Sequence, residues 1–183
     1  MSWRLERGAN VGADGAVSFA VWAPRRGALS VRILDGAGRT RADVPMTRDG
    51  DGVFTARADA GLAPPGTDYA FVLPDVGVRP DPVSRHQPNG VHAPSRIVAA
   101  DGFAWTDSHW RGLPRADLVV YELHVGTFSP EGTFAGVAAR LPYLRDLGVT
   151  AVELMPVATF PGERGWGHDG VHLYAAHHAY GGP

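Results

Sequence analysis

The stretch GERGWGHDGVHLYAAHHAYGGP, residues 162–183, gathers imidazoles, aromatic rings and a carboxylate in one short run. His168, His172, His177 and His178 have spacings that would suit one face of a helix, and imidazole is a good zinc ligand. Gly167 and Gly170 argue against a helix across the first pair. No cysteine assists, and Asp169 is the carboxylate nearest to them. No metal and no cofactor are therefore expected. The same residues read better as the rim of a binding site. Trp166 offers a flat apolar ring, while His168 and Asp169 offer hydrogen-bonding groups. Gly165, Gly167 and Gly170 supply backbone freedom for tight turns. The whole stretch is expected to be neither helix nor strand. Glu122 and Glu153 are a second pair that could do chemistry, each lying inside a continuous apolar run.

These groups must be held by something, and the chain shows two rhythms. From residue 10 to about 100 the apolar period is two. Val17, Phe19 and Val21 alternate with Ser18 and Ala20; Leu29, Val31 and Ile33 alternate with Ser30 and Arg32. Phe54, Ala56 and Ala58 follow, then Tyr69, Phe71 and Leu73. Asp35-Gly36, Asp49-Gly50 and Pro65-Gly66 punctuate them. Short alternating strands with turn signals between them predict an antiparallel β-sandwich of the immunoglobulin-like kind. Residues 79–115 lose the rhythm and carry many prolines, which fix φ and remove donors. They are expected to be an ordered connector laid over the surface.

From Asp117 the rhythm changes. LVVYELHV (118–125) and VTAVELMP (149–156) read as strands covered on both faces. Between them Phe134, Val137, Leu141, Leu144 and Leu147 recur at helical spacing. Thr133 is the expected N-cap and Gly148 the C′ residue, with a kink or late start at Pro142. Strand, helix and strand with short joints make a right-handed parallel βαβ unit. Such a pair needs cover on both faces, which one helix cannot supply. A (β/α)8 barrel would supply it, but takes about 250 residues. Either a partner covers these surfaces or the chain is the opening piece of a longer protein; the second is the expectation.

Composition excludes several classes. The chain has 183 residues, is 44% hydrophobic and 20% charged, and carries 17 Lys+Arg against 19 Asp+Glu for a formal net charge of −2. No basic stripe points to nucleic acid. Zero cysteines exclude disulfides, thiolate zinc sites and cysteine nucleophiles. The residues Met1 to Glu6 lack the features of a signal peptide, and no apolar run is long enough for a bilayer. A cytoplasmic protein without membrane partners is the expectation.

FAVWAP (19–24), DPVSRHQPNGVHAPS (81–95), VVYELHVGTFSPEGTF (119–134), LRDLGVTAVELMPV (144–157) and GWGHDGVHLYAAHHAYGGP (165–183) together resemble the α-amylase superfamily of glycoside hydrolases. More narrowly they resemble the maltooligosyltrehalose trehalohydrolases. Branching enzymes and isoamylase-type debranching enzymes share looser versions of the same words. The resemblance implies a β-sandwich over 1–100, a connector over 101–116, and the first βαβ portion of a TIM (β/α)8 barrel over 117–183. It implies hydrolysis of the α-1,4 bond beside the terminal trehalose of a maltooligosyltrehalose, with an α-glucan as substrate and the remainder of the barrel as partner.

In that superfamily the two catalytic carboxylates stand at the ends of the fourth and fifth barrel strands, so the resemblance places no catalytic residue in this chain. Glu122 and Glu153 lie inside their strands, not at the rim where barrel enzymes work. They are expected to form a buried polar cluster with His124, each with a partner. Trp166, His168 and Asp169 are the substrate-binding candidates, because sugars present apolar faces edged by hydroxyls. His168 stands where the family usually has a tyrosine that stacks on the sugar, and Ala93 stands where it usually has a glycine. The alternative is that Trp166, Tyr174 and Tyr180 only pin a long loop in place. A further reading makes the N-terminal half a non-catalytic α-glucan-binding module, with Trp22 as an exposed candidate; against it, Trp22 is expected to follow the core-facing alternation.

Overall fold

The computed structural model describes residues 6–99 and 103–183. The reading of Met1 to Leu5 and the proposed boundary at residues 100–102 lie outside them.

The first half is antiparallel. Its strands are β1 (Gly8–Val11), β2 (Val17–Trp22), β3 (Ser30–Leu34), β4 (Thr40–Pro45), β5 (Thr47–Arg48), β6 (Val53–Ala58), β7 (Asp68–Leu73), β8 (Gly77–Arg79) and β9 (Ser95–Arg96). One sheet has the order β1-β2-β6-β5; the other runs β4-β3-β7-β8, with β9 also pairing β7. Val17, Phe19, Val21 and Phe54 of the first sheet share one core with Val31, Ile33, Tyr69 and Phe71 of the second. Burying each such side chain contributes about 1.5–3 kcal/mol. Two of the three predicted turns form through their aspartates. Asp35 Oδ1 accepts the N–H groups of Ala37 and Arg39, and Asp49 Oδ1 those of Asp51 and Val53. Trp22 corrects its expectation. It is 63% exposed on the outer face, because Val17, Phe19 and Val21 take the inward phase of β2.

The proline-rich segment is not laid over the surface. Asp81, Ser84, Gln87 and Ser95 are fully buried. The Tyr69 hydroxyl donates to Asp81 Oδ2 at 2.6 Å, the Val83 N–H donates to Oδ1, and the Asp81 N–H donates to Ser95 Oγ. Short polar side chains replace the donors and acceptors that an irregular backbone lacks. Gln87 does the same for the next turn, donating to Gly90 O and Ala93 O. Among the described residues no side-chain-bearing residue has positive φ, so Ala93 sits without strain. Residues 103–118, by contrast, are exposed throughout.

The second half contains β10 (Val120–Leu123), α1 (Val125–Phe128), α2 (Phe134–Ala138), α3 (Leu141–Asp146), β11 (Ala151–Leu154), β12 (Ala158–Thr159) and β13 (His172–Ala176). β10 and β11 pair in parallel, as predicted from the strand–helix–strand order. The expected single helix is broken at Ala139 and Arg140, where Pro142 forces a new start. Thr133 caps α2 by accepting the Gly136 N–H, and Gly148 ends α3 at φ +98°. Residues 158–180 are more ordered than expected. β12 and β13 form a small antiparallel ladder, followed by a 3-10 turn at His178–Tyr180.

The strands are not covered on both faces. Leu118, Val119, Val120, Tyr121 and Leu154 are exposed, as are Tyr143 and Leu147 of the helical segment. For the same reason Glu122 and Glu153 are exposed rather than buried. They stand side by side in the ladder, and His124 is engaged elsewhere.

Candidate functional site

His124 directly follows β10, and Met155 directly follows β11. The chain therefore leaves both parallel strands at the same end, and a cavity of about 640 Å³ opens there. His124, Gly126, Thr127, Met155, Trp166 and Tyr180 line it, with the segment 163–165 as the remaining wall.

His124 organises this space. Its Nε2 lies 2.9 Å from Gly165 O, and a carbonyl only accepts, so Nε2 carries the proton. The Tyr180 hydroxyl oxygen lies 3.2 Å from the same nitrogen as a second acceptor. Nδ1 is then free to accept from the Thr127 hydroxyl at 3.3 Å. Three distant parts of the chain thus meet on one ring. Glycine permits the approach: a Cβ at Gly126 would stand 2.9 Å from Tyr180 Cε1 and 3.0 Å from His124 Cε1.

Tyr180 is buried, set edge-on to His124, Phe134 and Phe160. Burial raises the pKa of its hydroxyl above the ordinary value, and the Asp169 carboxylate adds to the rise. The hydroxyl is therefore neutral and can donate a hydrogen bond. Trp166 is 79% exposed and lines the cavity. Gly167 carries the chain beneath it at φ +86°, where an added Cβ would fall 2.1 Å from Pro156 O. A side chain there would displace the loop.

The three substrate-binding candidates separate in space. Trp166 lines the cavity; Asp169 lies close enough to act on Tyr180; His168 is exposed and does not line the cavity. The sequence reading missed His124 as a site residue, because the apolar run around it reads as strand interior. It treated Tyr180 only as a pin for the loop. The signal available was positional: His124 is the first residue beyond its strand.

The four candidate metal-binding histidines do not converge. His172 is buried, with Nε2–H donating to Val91 O. His177 stacks on Phe160, and His178 meets Glu163 Oε1 at 3.2 Å. Among the described residues no three metal-ligating side chains cluster, and no helix is long and apolar enough to cross a membrane.

No protein-family model matches the chain. Individual proteins do. It is 47% identical over 170 residues to a malto-oligosyltrehalose trehalohydrolase from Saccharolobus solfataricus, covering 93% of this chain and 29% of that protein. It is 43% identical to one from Deinococcus radiodurans, covering 90% of this chain and 26% of that one. A 1,4-alpha-glucan branching enzyme from Xanthomonas campestris is 32% identical, over 97% of the chain and 26% of the enzyme. Among solved structures, a candidate alpha amylase from Salmonella typhimurium superposes with a TM-score of 0.89 at 46% identity, over 99% of the chain and 30% of that protein. A group B streptococcal pullulanase in complex with maltotetraose superposes at 0.78 over 97% of the chain and 29% of its own; at 22% identity this likeness concerns the fold alone. The chain spans less than a third of the length of the relatives it matches. Along about nine-tenths of itself it is similar to the malto-oligosyltrehalose trehalohydrolases, and its relatives are enzymes of the α-amylase type.

Proposed function

We propose that this chain supplies the N-terminal part of a glycoside hydrolase that cleaves the α-1,4 bond beside the terminal trehalose of a maltooligosyltrehalose. Residues 1–100 are an immunoglobulin-like β-sandwich, 101–116 a connector, and 117–183 the first βαβ portion of a (β/α)8 barrel. Two sheets sharing one core support the first part. The parallel β10–β11 pair with exposed apolar strands and helix supports the last. Further barrel strands would cover that surface, and they would carry the paired carboxylates that glycoside hydrolysis needs.

The observation that carries the reading is the cavity at the carboxyl ends of β10 and β11. That end is where barrel enzymes bind and react. Trp166 offers a sugar a flat apolar face; His124, Tyr180 and Asp169 stand near it as hydrogen-bonding groups. His168 contributes from the exposed side of the same loop. Calorimetric titration with maltooligosaccharides tests this: the chain binds them, Trp166→Ala abolishes binding, and no trehalose is released by these residues alone. Absence of binding, or hydrolysis by the 183 residues unaided, overturns the reading. In a longer protein containing this chain, free trehalose is the expected product; new or lost α-1,6 branch points would assign it instead to the branching or debranching enzymes.

A second reading rests on Trp22. Its Nε1–H donates to Asp51 O at 3.1 Å, which holds an exposed ring still. That suits a non-catalytic α-glucan platform on the sandwich, and loss of maltooligosaccharide binding in Trp22→Ala, with binding kept in Trp166→Ala, would reveal it.

A further inference from the structure

Imidazoles hold the cavity wall at both ends. His124 donates to Gly165 O at one end. At the other, His177 Nε2 lies 2.9 Å from Gly162 O, and His178 meets the Glu163 carboxylate. His177 is fully buried, its ring stacked 3.8 Å from that of Phe160 and 4.4 Å from that of His178. Its second nitrogen is also committed. Nδ1 accepts the Ala179 N–H at 3.2 Å, capping the 3-10 turn that carries Tyr180. Since Gly162 O can only accept, the ring is the neutral tautomer with its proton on Nε2. One side of this ring ties the wall segment; the other ties the turn.

A proton added to Nδ1 takes the lone pair that the Ala179 N–H uses, with the Phe160 backbone the other polar group beside the ring. It faces the Ala179 N–H, donor against donor, and the cap must break. The charge would also be buried. Glu163 is the carboxylate that faces it; His178 stacks on it, and Tyr180 stands 5.4 Å away. Behind His178 lies His86, flanked by Arg96 and Asp68. Burial holds the pKa of both His177 and His86 below the ordinary imidazole value.

We propose that His177 is a proton-operated tie between the cavity wall and the Tyr180 turn: neutral, it keeps the cavity assembled; protonated on Nδ1, it releases the turn and the wall segment together. The step consumes one solvent proton and breaks only hydrogen bonds. For its consequence, glucan release in acid, it rests on the cavity being the glucan site proposed above. The sign follows from the lowered pKa. The neutral ring's contribution is complete above the ordinary imidazole value and is lost as pH falls through the lowered folded value.

The test needs no sugar, so it fails or holds separately from glucan binding. Nuclear magnetic resonance follows the His177 ring, the Trp166 indole (assigned with Trp166→Phe) and the Tyr180 ring between about pH 8 and 5. All three shift together, with a midpoint below about 6.5. In His177→Asn, Oδ1 still accepts the Ala179 N–H but cannot titrate, and the Trp166 and Tyr180 signals stay flat. His178→Gln, which still donates to Glu163, leaves the titration in place. The inference is overturned if Trp166 and Tyr180 stay fixed while His177 titrates, or if they titrate unchanged in His177→Asn. Should that variant not fold, the ring nitrogens of the unaltered protein decide: a proton on Nδ1 at neutral pH overturns the inference, and one on Nε2 alone, with the joint shift, supports it.

Discussion

The Tyr180 hydroxyl stands 3.2 Å from Nε2 of His124, joining the end of the first parallel strand to a turn 56 residues later. That contact closes one side of the cavity. Tyr180→Phe keeps the ring packing and removes the hydroxyl. Denaturant unfolding should show a loss of about 0.5–1.5 kcal/mol, with weaker maltooligosaccharide binding by calorimetry.

The Asp169 carboxylate acts on the same hydroxyl. In Asp169→Asn the Tyr180 hydroxyl falls partway back toward the ordinary value, because burial, the larger cause of its rise, remains. A spectrophotometric tyrosine titration reads this directly. An unchanged Tyr180 would place Asp169 away from the cavity.

Trp166 separates binding from stability. It is exposed, so Trp166→Ala should alter stability by no more than about 0.5 kcal/mol while maltooligosaccharide affinity is lost. Gly167→Ala should do the reverse of the first effect. Its positive φ and the close Pro156 carbonyl should lower stability by about 1–3 kcal/mol, measured by thermal unfolding.

Tyr69→Phe tests how the proline-rich segment is held. The variant deprives fully buried Asp81 of an O–H donor, at a cost of about 1–3 kcal/mol near neutral pH. Burial raises the pKa of Asp81 above the ordinary carboxylate value, and the Tyr69 hydroxyl opposes the rise. A raised folded value means that the stabilising contribution is complete in acid, below the ordinary carboxylate value, and is lost as pH rises through the folded value. The variant should push that loss to higher pH. Its deficit against the unaltered protein should shrink as pH falls and Asp81 becomes protonated.

The uncovered strands predict association. Leu118, Val119, Val120 and Tyr121 form an exposed apolar run. Sedimentation of the chain alone should show concentration-dependent self-association, reduced in Val119→Lys. A monomer at all concentrations would count against strands that require further cover.

The sequence by itself determined the elements whose signal is local. Alternation placed β2, β3, β6 and β7, because a strand with one buried face must read apolar at every second residue. Helical spacing and Pro142 placed the broken helix, and the strand–helix–strand order gave the parallel pair. The motifs carried the resemblance that the similar proteins bear out. Only the tertiary structure decided what depends on residues far apart in the chain. Glu122 and Glu153 read as buried because their neighbours are apolar; whether that apolar surface is covered is not a local property. Asp81 and Gln87 read as surface residues because burying a polar group is favourable only when distant partners satisfy it. His124 and Tyr180 became site residues only when β10 and the final turn were brought together, since a cavity belongs to the packing of segments and not to any one of them.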